Sequence, residues 1–196
     1  MRTDTAKAGT SRGEATRRRI LTAARDEFAA YGLGGARIDR IASEARASKE
    51  RMYAYFGDKQ ALFDAVLEES LDRFLDEVPF DAEDVPEYAM RLFDHFVSEP
   101  EIQRMLLWGQ LQGDGERMHR LGERAAEARI EAIGDAQDRG LIAPQWEPLD
   151  LATMVFAVVM GWVSAPGADC NLVEGQSELA RRRTVVGEAV RRICAP

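Results

Sequence analysis

The stretch SKERMYAYFGDK, residues 48–59, decides how this chain folds. Ser48 can cap a helix, because its hydroxyl can accept a hydrogen bond from a backbone N–H of the first turn. Gly57 offers a left-handed stop, and Asp58 can cap the helix that follows. The stretch therefore predicts a helix of about two turns that leads directly into another helix.

A short amphipathic segment, Ile38–Ala45, precedes this stretch and predicts one more helix. Only Arg46, Ala47 and Ser48 separate the two segments. Two short helices joined by a turn of three to four residues form a helix-turn-helix, whose second helix enters the major groove of DNA. The predicted second helix and the residue group after it are rich in cations and phenols, which suits that role: Lys49, Arg51, Tyr53, Tyr55 and Lys59.

Three longer pieces around this motif resemble one protein family. RRRILTAARDEFAAYG (17–32), IDRIASEA (38–45) and SKERMYAYFGDKQALFDAV (48–66) are similar to the N-terminal domain of TetR-family transcriptional regulators. The resemblance implies an all-α fold of about nine helices, in which a three-helix DNA-binding domain precedes a larger helical domain for ligand binding and dimerisation. It also implies a repressor that a small molecule releases from a palindromic operator.

The first residues of the second helix are the candidates for reading bases, because side chains at this position point at base edges. Arg51 is the strongest, since its guanidinium fork matches the N7 and O6 acceptors of guanine. Glu50 can only accept hydrogen bonds, so phosphates would repel it, whereas a cytosine amino group or a neighbouring arginine could pair with it. The resemblance implies that Tyr53, Tyr55 and Lys59 contact phosphates.

The expected DNA-binding set extends from the helix before the turn into the helix after it: Arg37, Asp39, Ser48, Lys49, Glu50, Arg51, Tyr53, Tyr55 and Lys59. The alternative is an exposed basic helical hairpin that never meets nucleic acid. Arg46 stands where family members often have glycine, because the turn favours a left-handed residue, and arginine there costs about 1 kcal/mol. Arg37, Glu50 and Arg51 also depart from the family's pattern, so the operator cannot be taken over from a relative.

Charge is distributed unevenly along the chain. The formal net charge of −8 argues against nucleic acid as a partner. Residues 1–60, however, contain 13 Lys and Arg against 8 Asp and Glu, whereas residues 61–196 contain 13 against 26. A basic part joined to an acidic remainder is typical of a DNA-binding module with a separate second domain. A solvated basic tail would give the same asymmetry, so charge alone does not decide.

An enzyme is the competing class, and the sequence lacks the motifs that it requires. His95 and His119 are the only histidines, and neither belongs to a metal-binding spacing such as HExxH. A GxSxG elbow, a P-loop and a CxxC pair are missing as well. We therefore expect no catalysis, no metal and no cofactor.

Cysteine usage and hydropathy predict a cytoplasmic protein without membrane contact. Cys170 and Cys194 are isolated thiols, which suit a reducing compartment. No long apolar segment precedes Ile20, so we expect no secretory signal. The longest apolar run, Leu151–Ala165, is shorter than the roughly 20 residues that cross a bilayer, and it predicts a buried helix.

The chain should divide into a flexible basic arm (1–12), a helix-turn-helix domain (13–58) and a helical effector-binding and dimerisation domain (59–196). Ser11 and Glu14 have capping-box spacing, so helix 1 should begin there and end at the glycines after Tyr31. Helix 4 should run over about Lys59–Val78 and link the two domains mechanically. Further helices are predicted over about 86–97, 100–112, 116–139, 150–163 and 177–194.

The resemblance implies an effector pocket in the third part, for which the sequence offers mainly apolar candidates. They are Phe63, Leu67, Tyr88, Leu92, Phe96, Met105, Trp108, Met118, Leu121, Met154 and Phe156. The plainer alternative is that most of these side chains fill a helical core. In that case the protein would bind DNA without responding to a ligand.

The apolar face of the predicted 150–163 helix is too extensive for the edge of one monomer. With the 177–194 helix it should pair across a two-fold axis into a four-helix bundle. The interface candidates are Val155, Val159, Trp162, Val185, Val186, Val190 and Ile193. The expected partners are therefore a second copy of the chain, a double-stranded DNA operator and a small-molecule effector.

Overall fold

The structure, a computed structural model, describes residues 4–112, 115–164 and 175–196. Within these ranges it consists of nine helices without a strand, which confirms the predicted all-α class. The helices are α1 (Asp4–Gly35), α2 (Ile38–Glu44), α3 (Lys49–Phe56), α4 (Lys59–Glu77), α5 (Val85–Ser98), α6 (Pro100–Leu111), α7 (Gly115–Asp138), α8 (Pro148–Ser164) and α9 (Gln176–Cys194). From α2 onward the predicted bounds agree closely with these.

The start of α1 is a correction to the sequence prediction. The helix begins at Asp4, upstream of Ser11 and inside the expected flexible arm. Residues 4–12 contain no proline, and extending an existing helix is much easier than nucleating one. The other end follows the prediction, because Gly32 has φ 63° and interrupts the helical conformation. A Cβ at Gly32 would lie 2.9 Å from Cδ2 of Trp108. Glycine is therefore required at this position both by its positive φ and by the close approach of Trp108.

The described chain forms two compact units. The N-terminal unit contains the residues up to Ser70 together with Glu101–Met118, and the C-terminal unit contains Leu71–Pro100 together with His119–Pro196. The division lies inside α4, and α6 belongs almost entirely to the N-terminal unit although it comes later in the sequence. The predicted domain boundary after Asp58 stays a prediction.

The N-terminal unit is held together by apolar side chains from each of its first four helices. Ile20 and Phe28 of α1, Ile41 of α2, Met52 of α3 and Phe63 of α4 are all buried. Phe28 and Phe63 meet edge to face, with their ring centroids 5.0 Å apart. Helices as short as α2 and α3 depend on such a shared core, because they are too short to be stable alone.

In the C-terminal unit, α5 packs against both α8 and α9. Close approach of α5 and α9 depends on Gly187, where a Cβ would lie 2.7 Å from Sδ of Met90. Arg183 of α9 adds ionic contacts with α5, donating to Asp94 at 2.7 Å and to Glu87 at 3.0 Å. None of the helices in the ranges given above is long and apolar enough to cross a membrane.

The turn between α2 and α3 is a Schellman motif with an arginine at its left-handed position. The N–H of Ala47 donates to the carbonyl of Ala42 at 3.0 Å, and the N–H of Arg46 donates to the carbonyl of Ser43 at 3.1 Å. Arg46 has φ 50°, which confirms the left-handed residue expected from the sequence. The same pair of hydrogen bonds ends α7 around Gly140, whose φ is 72°. The two turns differ in which residue occupies the left-handed position.

This difference predicts the effect of substitutions at Arg46. Arg46→Asn should raise the free energy of unfolding by up to about 1 kcal/mol, since asparagine tolerates the left-handed region better than arginine. Arg46→Gly should gain less, because glycine loses more backbone entropy on folding. Urea unfolding measures both. As the matched control, Gly140→Arg should lower stability by about 1–2 kcal/mol, and a destabilised Arg46→Asn would contradict the assignment.

Candidate nucleic-acid interface

α3 begins and ends at the residues that the sequence indicated. Oγ of Ser48 accepts a hydrogen bond from the N–H of Arg51 at 3.3 Å, and Gly57 follows the helix with φ 83°. Oδ1 of Asp58 accepts from the N–H of Ala61 at 2.8 Å and so caps α4. The predicted caps are confirmed, and they define α3 as a separate short helix between α2 and α4.

Most of the expected DNA-binding side chains are accessible. Lys59 is half-buried, and the others are exposed: Arg37, Asp39, Ser48, Lys49, Glu50, Arg51, Tyr53 and Tyr55. On α3 only Met52 is buried. The helix therefore packs on one narrow side and presents its polar side chains outward, as a helix that reads DNA must.

Two of the expected phosphate ligands also hold the fold together. Nζ of Lys59 donates to the carbonyl of Ala36, between α1 and α2, at 3.3 Å. The hydroxyl of Tyr55 donates to the carbonyl of Gly13 in α1 at 3.3 Å. Both side chains thus connect α3 and α4 to earlier helices, and substituting either would disturb local structure as well as any contact with DNA.

The first residue of α3 is paired within the protein. The ammonium group of Lys49 forms a salt bridge with Oδ1 of Asp39, in the first turn of α2. The hydrogen bond with that carboxylate raises the pKa of Lys49 above its usual value. Asp39 and Lys49, both expected to lie at the DNA surface, are therefore brought directly together.

Glu50 is held in its charged form at the N-terminus of α3. Its own backbone N–H and the hydroxyl of Ser48 lower the pKa of the Glu50 carboxyl. An ionised carboxylate is also favoured by the positive end of the helix dipole. Together with Asp39, it makes the exposed surface around α3 a mixture of both charges, not a uniformly basic patch.

A pair that was not predicted from the sequence, Glu27 and Arg40, connects α1 to α2. Arg37 has no side-chain cap for α2, but its N–H donates to Oε1 of Glu27 at 2.7 Å. Nε of Arg40 lies 2.9 Å from both carboxylate oxygens of Glu27, and its guanidinium stacks on the ring of Tyr31 with 4.2 Å to the centroid. Glu27 is a buried carboxylate on the inward face of α1, and an acid at such a position is the signal that could have revealed the pair.

Burial raises the pKa of the Glu27 carboxyl, but the hydrogen bonds from Arg40 and from the Arg37 N–H outweigh this effect and lower it below the usual value. The charged form is therefore the one that the folded protein stabilises. Glu27 thus holds α2 against α1, and α2 in turn positions the turn and α3.

The expected effector-pocket residues are divided between the two compact units. Phe63, Leu67 and Met105 are buried in the N-terminal unit, where Nε1 of Trp108 donates to the carbonyl of Ala29 at 3.3 Å. The candidates in the C-terminal unit are Tyr88, Leu92, Phe96, Met154 and Phe156. The side chains of the remaining two, Met118 and Leu121, lie outside the described residues.

A small cavity of about 10 Å³ lies among described residues of the C-terminal unit. It is lined by Phe80, Val85, Tyr88, Leu92, Arg129, Ile133, Ala152, Val155 and Phe156, three of which are in the predicted set. Arg129 was missed, and its Nη1 donates to the hydroxyl of Tyr88 at 3.1 Å. Burial raises the pKa of Tyr88, and the nearby Arg129 opposes that shift. A cavity of this size holds about one water molecule, whereas ligand pockets span roughly 300–1,000 Å³.

Four of the expected dimer-interface residues are corrected by the structure. Val155, Val159, Val186 and Val190 are buried in the core of a single protomer, so they have no surface to offer a partner. Trp162 and Ile193 are half-buried and pack against that core, and Val185 is exposed. The outward face of α8 carries a different set at helical spacing: Leu149, Thr153, Phe156, Ala157 and Gly161.

Both parts of the chain match known families. Residues 20–66 match the model described as "Bacterial regulatory proteins, tetR family". Residues 84–192 match the model described as "Tetracyclin repressor-like, C-terminal domain". The family model for regulatory proteins agrees with the expectation that the chain is not an enzyme.

Individual relatives give the same picture. The HTH-type transcriptional repressor SCO4008 of Streptomyces coelicolor is 40% identical over 164 residues, which cover 83% of this chain and 85% of that protein. The HTH-type transcriptional regulator RutR of Escherichia coli K12 is 43% identical over 61 residues, or 31% of this chain and 29% of that protein. The solved structure of SCO4942 from Streptomyces coelicolor is 36% identical, with a TM-score of 0.78 over 91% of this chain and 98% of that one.

The Glu27 pair makes a prediction about stability and pH. Glu27→Gln should lower the free energy of unfolding at pH 7 by roughly 1–3 kcal/mol, since it removes the ionic acceptor and leaves Arg40 in place. Because the folded-state pKa is lowered, the stabilisation is fully present above the unfolded-state pKa and is lost as the pH falls through the folded-state pKa. Urea unfolding of both proteins at neutral and acidic pH measures this.

The control for this prediction is Glu44→Gln, which removes an exposed carboxylate from the end of α2. It should change stability by less than about 0.5 kcal/mol. A difference between wild type and Glu27→Gln that does not shrink as the pH is lowered would show that charge is not what Glu27 contributes.

Proposed function

The chain belongs to the TetR family of bacterial transcriptional regulators, and on that premise we propose that it is a ligand-responsive repressor that binds a palindromic operator as a homodimer. Repression is supported by SCO4008, a relative along most of both chains that is named as a repressor. The proposal includes a cytoplasmic location, as DNA binding requires.

One observation carries the DNA-binding part of the proposal: the capped, outward-facing N-terminus of α3. Ser48 and Asp58 fix both ends of the segment, and Arg51 is exposed in the first turn of α3. In a helix-turn-helix this end of the second helix faces base edges, so Arg51 would donate to N7 and O6 of a guanine. Lys59, at the first turn of α4, would contact a phosphate together with the N-terminal amides of that helix.

Dimerisation would use the outward faces of α8 and α9. Thr153, Ala157 and Gly161 recur every four residues and are exposed in the protomer, as is the larger Phe156. Small side chains at this spacing allow a second helix to approach closely, and the exposed Val185 of α9 would extend the contact. A two-fold axis through this face would give a four-helix bundle and two copies of α3 for successive major grooves.

The ligand response would depend on α4, which runs without interruption from the N-terminal unit into the C-terminal unit. An effector in the C-terminal unit must bind one arrangement of the dimer better than the other, because equal affinity for both would shift nothing. The cavity beside Tyr88 and Arg129 is the starting point for such a site, and it must widen to admit a metabolite.

The small size of that cavity favours a second candidate, a repressor that binds DNA without a ligand. The two are distinguished by selecting bound sequences from random duplex DNA and then screening metabolites for release of the selected operator. A sequence-specific complex that a metabolite dissociates supports the proposal. A specific complex that no metabolite weakens favours the second candidate, and failure to select any sequence would contradict both.

Arg51 should determine sequence preference at one position. Arg51→Ala should weaken operator binding by about 1–3 kcal/mol and relax the preference at a single base pair. The matched variant Arg51→Lys keeps the charge but loses the fork, so it should retain the salt dependence and lose the preference for guanine. Fluorescence anisotropy with single-base operator variants measures this, and an unchanged preference in Arg51→Ala would exclude base reading by Arg51.

Ala157 should lie at the subunit interface. Ala157→Arg should raise the dimer dissociation constant at least about thirtyfold, or about 2 kcal/mol, because the symmetric contact would bury two like charges. Helix content should stay unchanged, since Ala157 is exposed in the protomer. Sedimentation equilibrium measures the association, with Ala30→Arg on the exposed face of α1 as the control. A stable Ala157→Arg dimer would exclude this face.

A further inference from the structure

We propose that Asp39 limits the affinity of this protein for DNA of any sequence by neutralising Lys49 at the start of α3. The inference rests on the proposed function, because it assumes that the N-terminus of α3 faces DNA. It assigns Asp39 the role of a positioning residue that acts through Lys49.

The carboxylate of Asp39 binds the ammonium group of Lys49, which would otherwise be available to a DNA phosphate. Asp39 lies in the first turn of α2 and Lys49 is the first residue of α3, and the two side chains form a salt bridge across the turn. Both remain more than half exposed, 67% for the carboxylate side chain and 54% for the lysine side chain. The pair is therefore on the accessible surface and not part of the core.

The structure of the turn places Asp39 and Lys49 close to each other. The Schellman hydrogen bond from Ala47 to Ala42 and the Ser48 cap fix the turn, so the two side chains start from defined backbone positions. An exposed ion pair contributes little to folding stability, so stability does not explain the placement of an acid at this point of the surface.

The pair has a direct consequence for DNA binding. Each cation that neutralises a phosphate releases counterions, and this contribution is the same for every sequence. A lysine already paired with a carboxylate contributes less of it, while contacts with base edges are unaffected. Removing one unit of sequence-independent attraction therefore lowers the affinity for every DNA sequence by the same factor, including the non-specific sequences that compete for the protein. Glu50, charged at the same helix end, acts in the same direction.

A different role for Asp39 would give the opposite result. A carboxylate in the major groove can accept a hydrogen bond from the amino group of cytosine. If Asp39 read a base in this way, its removal would weaken binding to the operator. The sign of the change in affinity thus separates the two roles.

The experiment uses the full-length protein and two labelled duplexes of about 20 base pairs, one of random sequence and one that carries the selected operator, each titrated by fluorescence anisotropy at several salt concentrations. Asp39→Ala removes the carboxylate, and Asp39→Asn removes the charge with little change of shape. Both variants should steepen the slope of log K against log salt by about 0.9 for each copy of α3 that contacts the DNA. This change corresponds to about eightfold tighter binding at 0.1 M salt. Asp26→Asn, which removes an exposed carboxylate paired with Arg25 on α1, is the control and should change affinity less than twofold.

A double-mutant cycle tests whether the effect passes through Lys49. Lys49→Met should reduce affinity at least threefold more in the Asp39→Ala background than in the wild type, because only the unpaired lysine is fully available to a phosphate. Equal losses in both backgrounds, or Asp39→Ala binding that is unchanged or weaker, would overturn the inference. Wild-type protein that binds neither random nor selected DNA would overturn the proposed function itself, and the inference with it.

Discussion

The left-handed backbone at Arg46 determines where every proposed DNA contact lies. The hydrogen bonds of the Schellman motif end α2, and Ser48 starts α3 two residues later. Since the turn is so short, the start of α3 is fixed relative to α2, and α2 is fixed to α1 by Glu27 and Arg40. The exposed position of the cations on α3 is thus a consequence of backbone geometry and one ionic contact.

The parts of the fold that depend on local chemistry could be predicted from the sequence. Ser48, Gly57 and Asp58 act at the positions their side chains favour, and the helices from α2 onward follow apolar periodicity. Arg46 is instructive, because an unfavourable residue at a turn still adopted the conformation that the turn required. A turn that requires a left-handed residue can therefore be predicted from the sequence even where the residue at that position is unfavourable.

Contacts between distant residues could not be predicted in the same way. Glu27 pairs with Arg40, 13 residues later, and nothing in the periodicity of α1 identifies that partner. α8 is apolar around most of its circumference, so periodicity could not separate the inner face with Val155 and Val159 from the outer face with Ala157. The association of α6 with the N-terminal unit was missed because it depends on the packing of Trp108 against Gly32.

That packing has a consequence for how the protein can be divided. α6 covers the end of α1, where Trp108 donates to Ala29 and lies against the glycine that bends the chain. A fragment ending at Ser70 would include every helix of the helix-turn-helix but would leave this end of α1 open to solvent. A DNA-binding fragment transferred to another regulator would therefore lose these contacts unless α6, which begins about thirty residues after Ser70, were transferred with it.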